Sequence, residues 1–552
     1  MSRLVICLSF GLLTLFAGSY SNLYAQSAQT KLLNIQTPSD APAERIYFHS
    51  ASGDVEALLT LRKHLIHQGA RKVNGFIPFV VACELPHDIN YEEYLTNTDI
   101  TLLTEEEIGD DGTGAFVFGP IWVKKCYQIA KENPATEYED VRNLASFEQF
   151  VMPDIAIPNR PDRRIAVSSP FELEDKRYFQ NSEFMIGDIL AQIVYPESQG
   201  TEENWSNSQL SQAASACVLA MVSYQEAFPH IPIDFAVRSI PWALTTTEPI
   251  NFLREEQALW VTDVMNHLGY PGDPSQYREL VNQFNNDWRT KWGTDWVFTA
   301  FIVNSANDED HLFGIRPTKP LQLVVAELGG PHMAIPFPTG YPGLGPLKQA
   351  FIYGLGHIFW ALYEHVGIPE SDCDSYSGYL NYRNWNKTVS IGPMEAREGC
   401  SVSIYPEFCI MNIEDVYYYF CEEACPYTVG MLGLADVNNN RVPDAVDAAP
   451  RIIFNNTALE TTLTNSFQLK FQAVSTAIPN KNSNQNPIYR IDYALPIKDI
   501  SYMVNGVGPI QILPEDGAYD ETMEDFTAEI NTLIPGRSEV RIKTRNTLGS
   551  IS

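Results

Sequence analysis

The residues of this chain that could do metal chemistry stand around one histidine. His357 lies in the segment LKQAFIYGLGHIFWALYEHVG, whose apolar residues recur at steps of three and four, which is typical of an amphipathic helix. The apolar residues of this face are Leu347, Phe351, Leu355, Ile358 and Leu362. Glu364 follows two turns after His357 on one helix face, so an imidazole and a carboxylate could share a zinc ion there.

This segment resembles the active-site helix of the secreted zincin metallopeptidases, whose pattern is H-E-x-x-H followed by a third ligand. In that pattern two imidazoles one turn apart chelate zinc, and the glutamate beside the first polarises the bound water. Here Tyr353 stands at the position of the first histidine, Gly354 at that of the glutamate, and His357 matches the second histidine. Tyr363 stands six residues later, where the family carries its third ligand. The frame of the motif is present, and most of its chemistry is missing.

A second motif agrees with this resemblance. The sequence CIMN at residues 409–412 follows the helix and resembles the methionine turn under the metal of metzincin-like peptidases, with Met411 as the matching residue. The predicted strands and helices of residues 180–447 also follow the order of a zincin upper subdomain. By the same resemblance, residues 329–333, which include His332, correspond to the edge strand that pairs with substrate.

These motifs lead to one interpretation and two alternatives. Without glutamate at position 354 and histidine at position 353, the general base and the chelating pair are gone. The chain is therefore interpreted as an exported zincin-like protein that has lost peptidase activity and acts in binding or as a scaffold. The first alternative is an active secreted zinc metallopeptidase with a rearranged site of His357, Glu364 and His365, although His365 points about 100° away from Glu364. The second is a cell-surface adhesin.

Length and charge define the setting of this site. The 552 residues suffice for two to four domains, and 68 acidic against 37 basic residues give a net charge of -31. Such a charge argues against a nucleic-acid partner, because the phosphates would be repelled. The partner expected is a protein or peptide of unspecified identity.

The N-terminus has the features of a Sec signal peptide. Arg3 supplies the positive end, residues 4–17 the apolar run, and Leu23-Tyr24-Ala25 the small-residue cleavage pattern. The apolar run is short for a spanning helix, and no membrane span is expected elsewhere. Cleavage after Ala25 predicts a secreted, periplasmic or cell-surface protein.

The cysteines predict disulfides in the exported chain. Eight remain after cleavage, namely Cys83, Cys126, Cys217, Cys373, Cys400, Cys409, Cys421 and Cys425. Five of them lie within residues 373–425, an odd number that cannot pair wholly within the cluster. We expect at least two disulfides there, with one cysteine pairing outside the cluster or remaining a thiol.

The predicted fold class is a multidomain α+β chain. After the signal peptide at residues 1–25, residues 26–175 form a small α/β domain that is either a propeptide or an accessory domain. It begins with a flexible lead to residue 43, and it contains a helix at 54–68 and a buried strand at 76–83. Residues 176–449 form the zincin-like domain.

The C-terminal region reads as an immunoglobulin-like β-sandwich. Residues 450–552 alternate apolar and polar positions in six short strands separated by turn residues. The expected last strand is missing after residues 539–544. The sandwich therefore either keeps an open edge there or belongs to a sequence that is cut short.

The predicted zincin-like domain ends with a segment rich in oxygen-bearing side chains, residues 436–447. They stand at positions 1, 3, 5, 9 and 12, and this spacing lets a tight loop wrap around a calcium ion. They are Asp436, Asn438, Asn440, Asp444 and Asp447. The segment resembles the short calcium loops of secreted bacterial proteins, with two asparagines in place of charged ligands and Arg441 in place of the usual glycine. We expect weak calcium binding, and the alternative is a solvated polar linker.

Overall fold

The computed structural model describes most of the chain from residue 30 onward. The residues between 30 and 552 that it does not describe are 34, 36–42, 78, 88, 97, 104–177, 199–203, 246–247, 253–255, 307, 309–312, 314–323, 339–344, 364–374, 385–408, 412–423, 455–466, 520 and 531–538. Several sequence predictions therefore fall outside the described residues, namely the signal peptide, Cys126, Glu364, His365, Cys373, Cys400 and Cys421.

Strands and helices alternate along the larger part of the chain, and strands alone follow. The strands, in chain order, are β1 (Thr30–Leu32), β2 (Ala43–Ser50), β3 (Arg71–Phe76), β4 (Val80–Pro86), β5 (Ile100–Leu103), β6 (Gly187–Ser198), β7 (Ile233–Thr245), β8 (Trp296–Asn304), β9 (Val325–Ala326), β10 (His332–Phe337), β11 (Tyr376–Ser377), β12 (Tyr382–Arg383), β13 (Arg451–Phe454), β14 (Phe467–Val474), β15 (Ala477–Ile478), β16 (Asp492–Ala494), β17 (Ile497–Val504), β18 (Val507–Ile512), β19 (Met523–Ile530) and β20 (Val540–Asn546). The α-helices are α1 (Val55–His67), α2 (Glu92–Leu95), α3 (Asn207–Ala227), α4 (Gln257–His267), α5 (Tyr277–Trp292), α6 (Gly345–Ile358) and α7 (Pro426–Met431).

The chain divides into two compact units. The larger contains Pro38–Ala435 and Lys481–Tyr489, and the smaller contains Met1–Thr37, Asp436–Asn480 and Arg490–Ser552. The prediction of a multidomain chain of mixed α and β structure is thereby confirmed at this level of description.

A nine-stranded mixed sheet forms the centre of the larger unit, in the order β5-β2-β4-β3-β7-β6-β8-β10-β9. Strands β7, β6, β8 and β10 are parallel, and β9 pairs antiparallel with β10 at the edge. Strand β6 is buried along almost its whole length, which is typical of a parallel strand covered on both faces. Helices α3 and α6 pack together on one face, while α1, α4 and α5 share a core with the other.

The N-terminal strands belong to this same sheet. Gly75 and Phe76 of β3 pair in parallel with Ala236 and Val237 of β7. The described residues 43–103 therefore extend the sheet of residues 187–337 and fall within the same compact unit. The boundary predicted at residue 175 does not separate two sheets.

A buried ion pair ties helix α1 to the centre of the sheet. Both terminal nitrogens of Arg62 donate to the carboxylate of Asp188 on β6, each at 2.5 Å, and the arginine is 1% exposed. Two further buried carboxylates lie around this pair. Asp295 accepts from the backbone N–H of Asp188 at 3.0 Å, and Asp234 accepts from that of Val73 at 2.7 Å. The positive charge of Arg62 thus stabilises a cluster of three buried carboxylates.

The smaller unit contains two three-stranded antiparallel sheets, β13-β14-β19 and β18-β17-β20, which share one apolar core. A third small sheet corrects the prediction that residues 26–43 are only a flexible lead. Thr30–Leu32 pair in parallel with Asp492–Ala494, and the backbone N–H of the fully buried Leu33 donates to Ala494 O at 3.0 Å. A strand of three residues is too short to show a period in the sequence.

The edge of β20, where the sequence predicts an open edge or a missing strand, is paired at its C-terminal end. The chain returns after β20, and Thr544 and Ser552 exchange two backbone hydrogen bonds of 3.3 and 3.0 Å. The N–H of Asn546 donates to Ser550 O at 3.1 Å. The last three residues therefore cover the end of this edge.

Two further observations bear on the sequence predictions. Among the described residues, no helix is long and apolar enough to cross a membrane. The described cysteines, Cys83, Cys217, Cys409 and Cys425, are all buried, and no disulfide joins any two of these four. Burial raises the pKa of the Cys83 thiol to about 12. The predicted disulfides remain a prediction, because three cysteines of the cluster lie outside the described residues.

Candidate functional site

Helix α6 is held at the centre of the larger unit. Its described side chains are almost all buried, and it packs against α3 and β10. The phenol of Tyr224 on α3 donates to the backbone carbonyl of Ile352 at 2.9 Å, which fixes the two helices against each other. His357 therefore stands on a rigid, buried element.

Three positions of the degenerate zincin motif converge in space. The ring centroids of Tyr353 and His357 are 4.7 Å apart, those of His357 and Tyr363 are 4.2 Å apart, and those of the two tyrosines are 5.9 Å apart. The residues at these three motif positions therefore lie close together in the structure. We call this aromatic cluster the ring triad, and its three positions are those at which the predicted zincin resemblance expects metal ligands.

The turn that brings Tyr363 back to His357 depends on Trp360, which sequence reasoning did not single out. Helix α6 ends at Ile358, and Trp360 adopts a left-handed backbone with φ of 69°. In the metzincin pattern H-E-x-x-H-x-x-G-x-x-H the same position is a glycine, the residue that enters this region without strain. The sequence signal for this turn was the three-residue spacing from His357 to position 360. It was hard to recognise because a tryptophan stands there in place of the glycine.

His357 has a fixed tautomer in this arrangement. Its Nδ1 lies 2.7 Å from the carbonyl oxygen of Ala361, and a carbonyl can only accept, so Nδ1 carries a proton and donates. Metal-binding histidines commonly make this same bond with one ring nitrogen. This bond fixes the orientation of the His357 ring.

Met411 packs against helix α6 at Gly356, the residue before His357. It is fully buried, and a Cβ added to Gly356 would stand 2.4 Å from its sulfur. The glycine is thus required by the close approach of the methionine. The structure brings the predicted methionine-turn residue and the predicted histidine to adjacent places.

The position of the missing glutamate is closed by packing. A Cβ added to Gly354 would lie 2.6 Å from the sulfur of Met333 and 3.1 Å from a methyl carbon of Val324. Met333 is fully buried on β10. A larger residue at this position therefore needs the side chain of Met333 to move.

The described residues of this site do not fit zinc. A catalytic zinc takes three protein ligands from imidazole, carboxylate and thiolate groups, with water in the fourth position. The ring triad offers one imidazole and two phenols, and a phenol is not one of these usual zinc ligands. Within the described ranges, no group of three or more His, Cys, Asp or Glu side chains is placed to hold a metal.

His332 corrects the edge-strand prediction. It lies on β10, which pairs with β8 on one side and β9 on the other, so the described edge strand is β9. The side chain is fully buried between the rings of Tyr277 and Phe301, 3.3 Å from Gln257 Oε1. Burial lowers the pKa of His332 to about 4. It is a neutral core residue at physiological pH.

The predicted calcium ligands come together in one loop. Asp447 Oδ2 accepts from the side-chain amides of Asn438 and Asn440 at 2.9 and 3.0 Å. Asp436 accepts from the backbone N–H of Asn440 at 3.1 Å, and Asp444 accepts from that of Val437 at 3.3 Å. Arg441, at the usual glycine position, has a left-handed φ of 69°. The chain therefore makes the turn that the loop needs without glycine.

Comparison with known proteins identifies no family. The chain matches no protein-family model and no curated protein. Among solved structures it has a likeness to the crystal structure of wild-type OgpA from Akkermansia muciniphila. That likeness has 10% identity and a TM-score of 0.19, and it covers 70% of this chain and 95% of the other. At this TM-score it carries no argument about fold or function.

Proposed function

We propose that the mature chain is an exported zincin-like protein that lacks peptidase activity and acts by binding or as a scaffold. The observation that carries the proposal is the ring triad. The three motif positions meet within 6 Å of one another, yet two of them present phenols. In this proposal the framework of a metallopeptidase is kept, while positions 353 and 354 carry a tyrosine and a glycine in place of the histidine and glutamate that bind and activate water.

The arrangement around the triad supports the zincin-like part of this proposal. The sheet from β6 onward has the order β7-β6-β8-β10-β9, with one antiparallel strand at the edge. Helix α3 follows β6, helix α6 follows β10, and Met411 packs against α6. Strand order, helix order and methionine turn thus agree with the motif frame. Export is supported by the charged start, apolar run and cleavage pattern of residues 1–25.

A cleavage assay tests the proposal. The mature chain, supplied with zinc, is incubated with casein and with a mixed peptide library, with and without a chelator. We expect no chelator-sensitive cleavage, because neither a ligand pair nor a general base is present. Cleavage that the chelator stops, and that a His357→Ala variant loses, would instead establish the active-peptidase alternative.

We also propose that the loop of residues 436–447 binds calcium weakly. It is favoured by the spacing of the five predicted side chains and by the hydrogen bonds that join them in one loop, although the three carboxylates of the loop are not grouped as a metal site in the structure. Binding to the folded state alone adds about 2.7 kcal/mol when calcium is at 100 times its Kd. Calcium should therefore raise the unfolding temperature of the smaller unit.

The calcium prediction is checked by thermal unfolding at rising calcium. Asp444→Asn is expected to shift the titration to higher concentration, since one negative ligand is lost. Asp516→Asn, at an exposed aspartate outside the loop, is the matched control and should leave the titration unchanged. An unfolding temperature that stays constant up to about 10 mM calcium, well above the Kd range of weak extracellular sites, would contradict the proposal.

A further inference from the structure

The outer face of the sheet β18-β17-β20 forms a groove that neither the ring triad nor the calcium loop explains. The groove has a volume of about 350 Å³. Small-molecule sites commonly fall between about 300 and 1,000 Å³. The groove is therefore large enough for a ligand of one or two rings.

Strand register orders the lining of this groove into rows. Met503 of β17 stands opposite Arg541 of β20, and Ser501 stands between Lys543 on β20 and Gln511 on β18. A third row consists of Asp499 and Arg545. Because alternate residues of a strand lie about 6.8 Å apart on one face, the three cations form a regular line.

Two of the three cations, Arg541 and Arg545, already form ion pairs with neighbouring carboxylates. Arg545 Nε donates to Asp499 at 2.9 Å, and Arg541 donates to both carboxylate oxygens of Glu539 at 3.0 and 3.1 Å. In the part of the chain that the structure describes, no ion pair includes Lys543. A chain of net charge -31 thus presents an ammonium between two oriented guanidinium groups. This local charge favours an anionic group in the middle of the groove.

The edges of the sheet argue against a peptide as the occupant. An extended peptide binds a sheet chiefly through backbone hydrogen bonds along an edge strand. The edge strand β18 carries Pro509, which has no N–H to offer. At the other edge, Thr544 and Asn546 are bonded to the C-terminal residues. A ligand can therefore bind to the outer face of this sheet, where it would contact side chains and not backbone groups.

The chemistry of the face suits a sugar that carries an acid group. Asp499 can accept from hydroxyls, and Ser501 and Gln511 can each donate and accept. Met503 and Pro509 supply an apolar end against which the C–H face of a ring can pack. We infer that this groove binds an acidic saccharide, with its carboxylate or sulfate on Lys543 and Arg541 and its hydroxyls on Asp499, Ser501 and Gln511.

Binding to the full chain is measured by calorimetry at low salt with four probes. These are polygalacturonate as the carboxylated saccharide, dextran sulfate as the sulfated one, dextran as the neutral control and polyglutamate as the acidic peptide. At least one acidic saccharide is expected to bind, and more weakly as salt rises because the contacts are ionic. Which of the two binds identifies the anion. Dextran and polyglutamate are expected to bind at least tenfold more weakly.

Charge reversal at the centre of the groove locates the site. Lys543→Glu should reduce the affinity at least tenfold, and Lys543→Gln should reduce it less. Lys470→Glu is the matched control, since Lys470 is exposed on β14 in the other sheet of the same unit. Circular dichroism of each variant verifies folding. The inference is overturned if no acidic saccharide binds, if polyglutamate binds as tightly, or if Lys470→Glu weakens binding as much as Lys543→Glu.

Discussion

Replacing Arg62 by alanine is expected to lower the free energy of unfolding of the larger unit by about 3–5 kcal/mol, because it breaks a buried ion pair. The guanidinium is 1% exposed and makes two hydrogen bonds to Asp188. Without it, Asp188, Asp234 and Asp295 would face one another as uncompensated buried carboxylates. Denaturant unfolding followed by tryptophan fluorescence measures the change.

The matched control is Arg278→Ala, which removes a comparable ion pair at the surface. Arg278 pairs with Glu327 at 2.8 Å, but its side chain is 58% exposed. Exposed pairs contribute about 0–1 kcal/mol, so this variant should unfold almost as the unmodified chain does. Equal losses for the two variants would show that helix α1 is not anchored by Arg62.

Installing zinc ligands at the ring triad is expected to create a zinc site. A double variant, Tyr353→His with Tyr363→Asp, would place two imidazoles and a carboxylate at positions whose rings now lie 4.2 to 5.9 Å apart. Three such ligands are the usual set of a zincin. The zinc content after dialysis should rise to about one ion per chain. A folded double variant that stays free of zinc would mean that the three positions do not form a metal frame.

Zinc binding by this double variant is not expected to give peptidase activity, because a general base is also needed. The general base belongs at position 354, where a Cβ meets the sulfur of Met333 at 2.6 Å. Gly354→Glu therefore needs Met333→Ala beside it to make room. The control for zinc binding is the variant Tyr353→His with Tyr363→Asp that also carries His357→Ala. It lacks one ligand and should bind no zinc tightly.

Much of the local structure could be predicted from short-range patterns. The helix predicted at 54–68 is found at Val55–His67, with Asp54 accepting from the N–H of Ala57 at 3.0 Å as its N-cap. The amphipathic period around His357 likewise indicated helix α6. It ends at Ile358, before the predicted apolar face does, because Trp360 turns the backbone into the left-handed region.

What the sequence could not predict depends on contacts between distant residues. The apolar run at 76–83 was predicted as one strand, but it spans the turn between β3 and β4, where Phe79 N–H donates to Phe76 O at 3.0 Å. Pro78 interrupts this run, and a proline within a strand pattern was the sequence signal for the turn. The parallel pairing of β3 with β7 and the bond of Arg62 to Asp188 join residues more than 100 positions apart. A pattern of neighbouring residues in the sequence cannot predict which distant residues will pair.

The central proposal is that this chain has a zincin-like framework around a site that does not bind metal. It is tested most directly by the zinc content of the purified, unmodified mature chain, measured by elemental analysis after dialysis. The account predicts folded protein with far less than one zinc per chain. Near-stoichiometric zinc that is lost from a folded His357→Ala variant would contradict it.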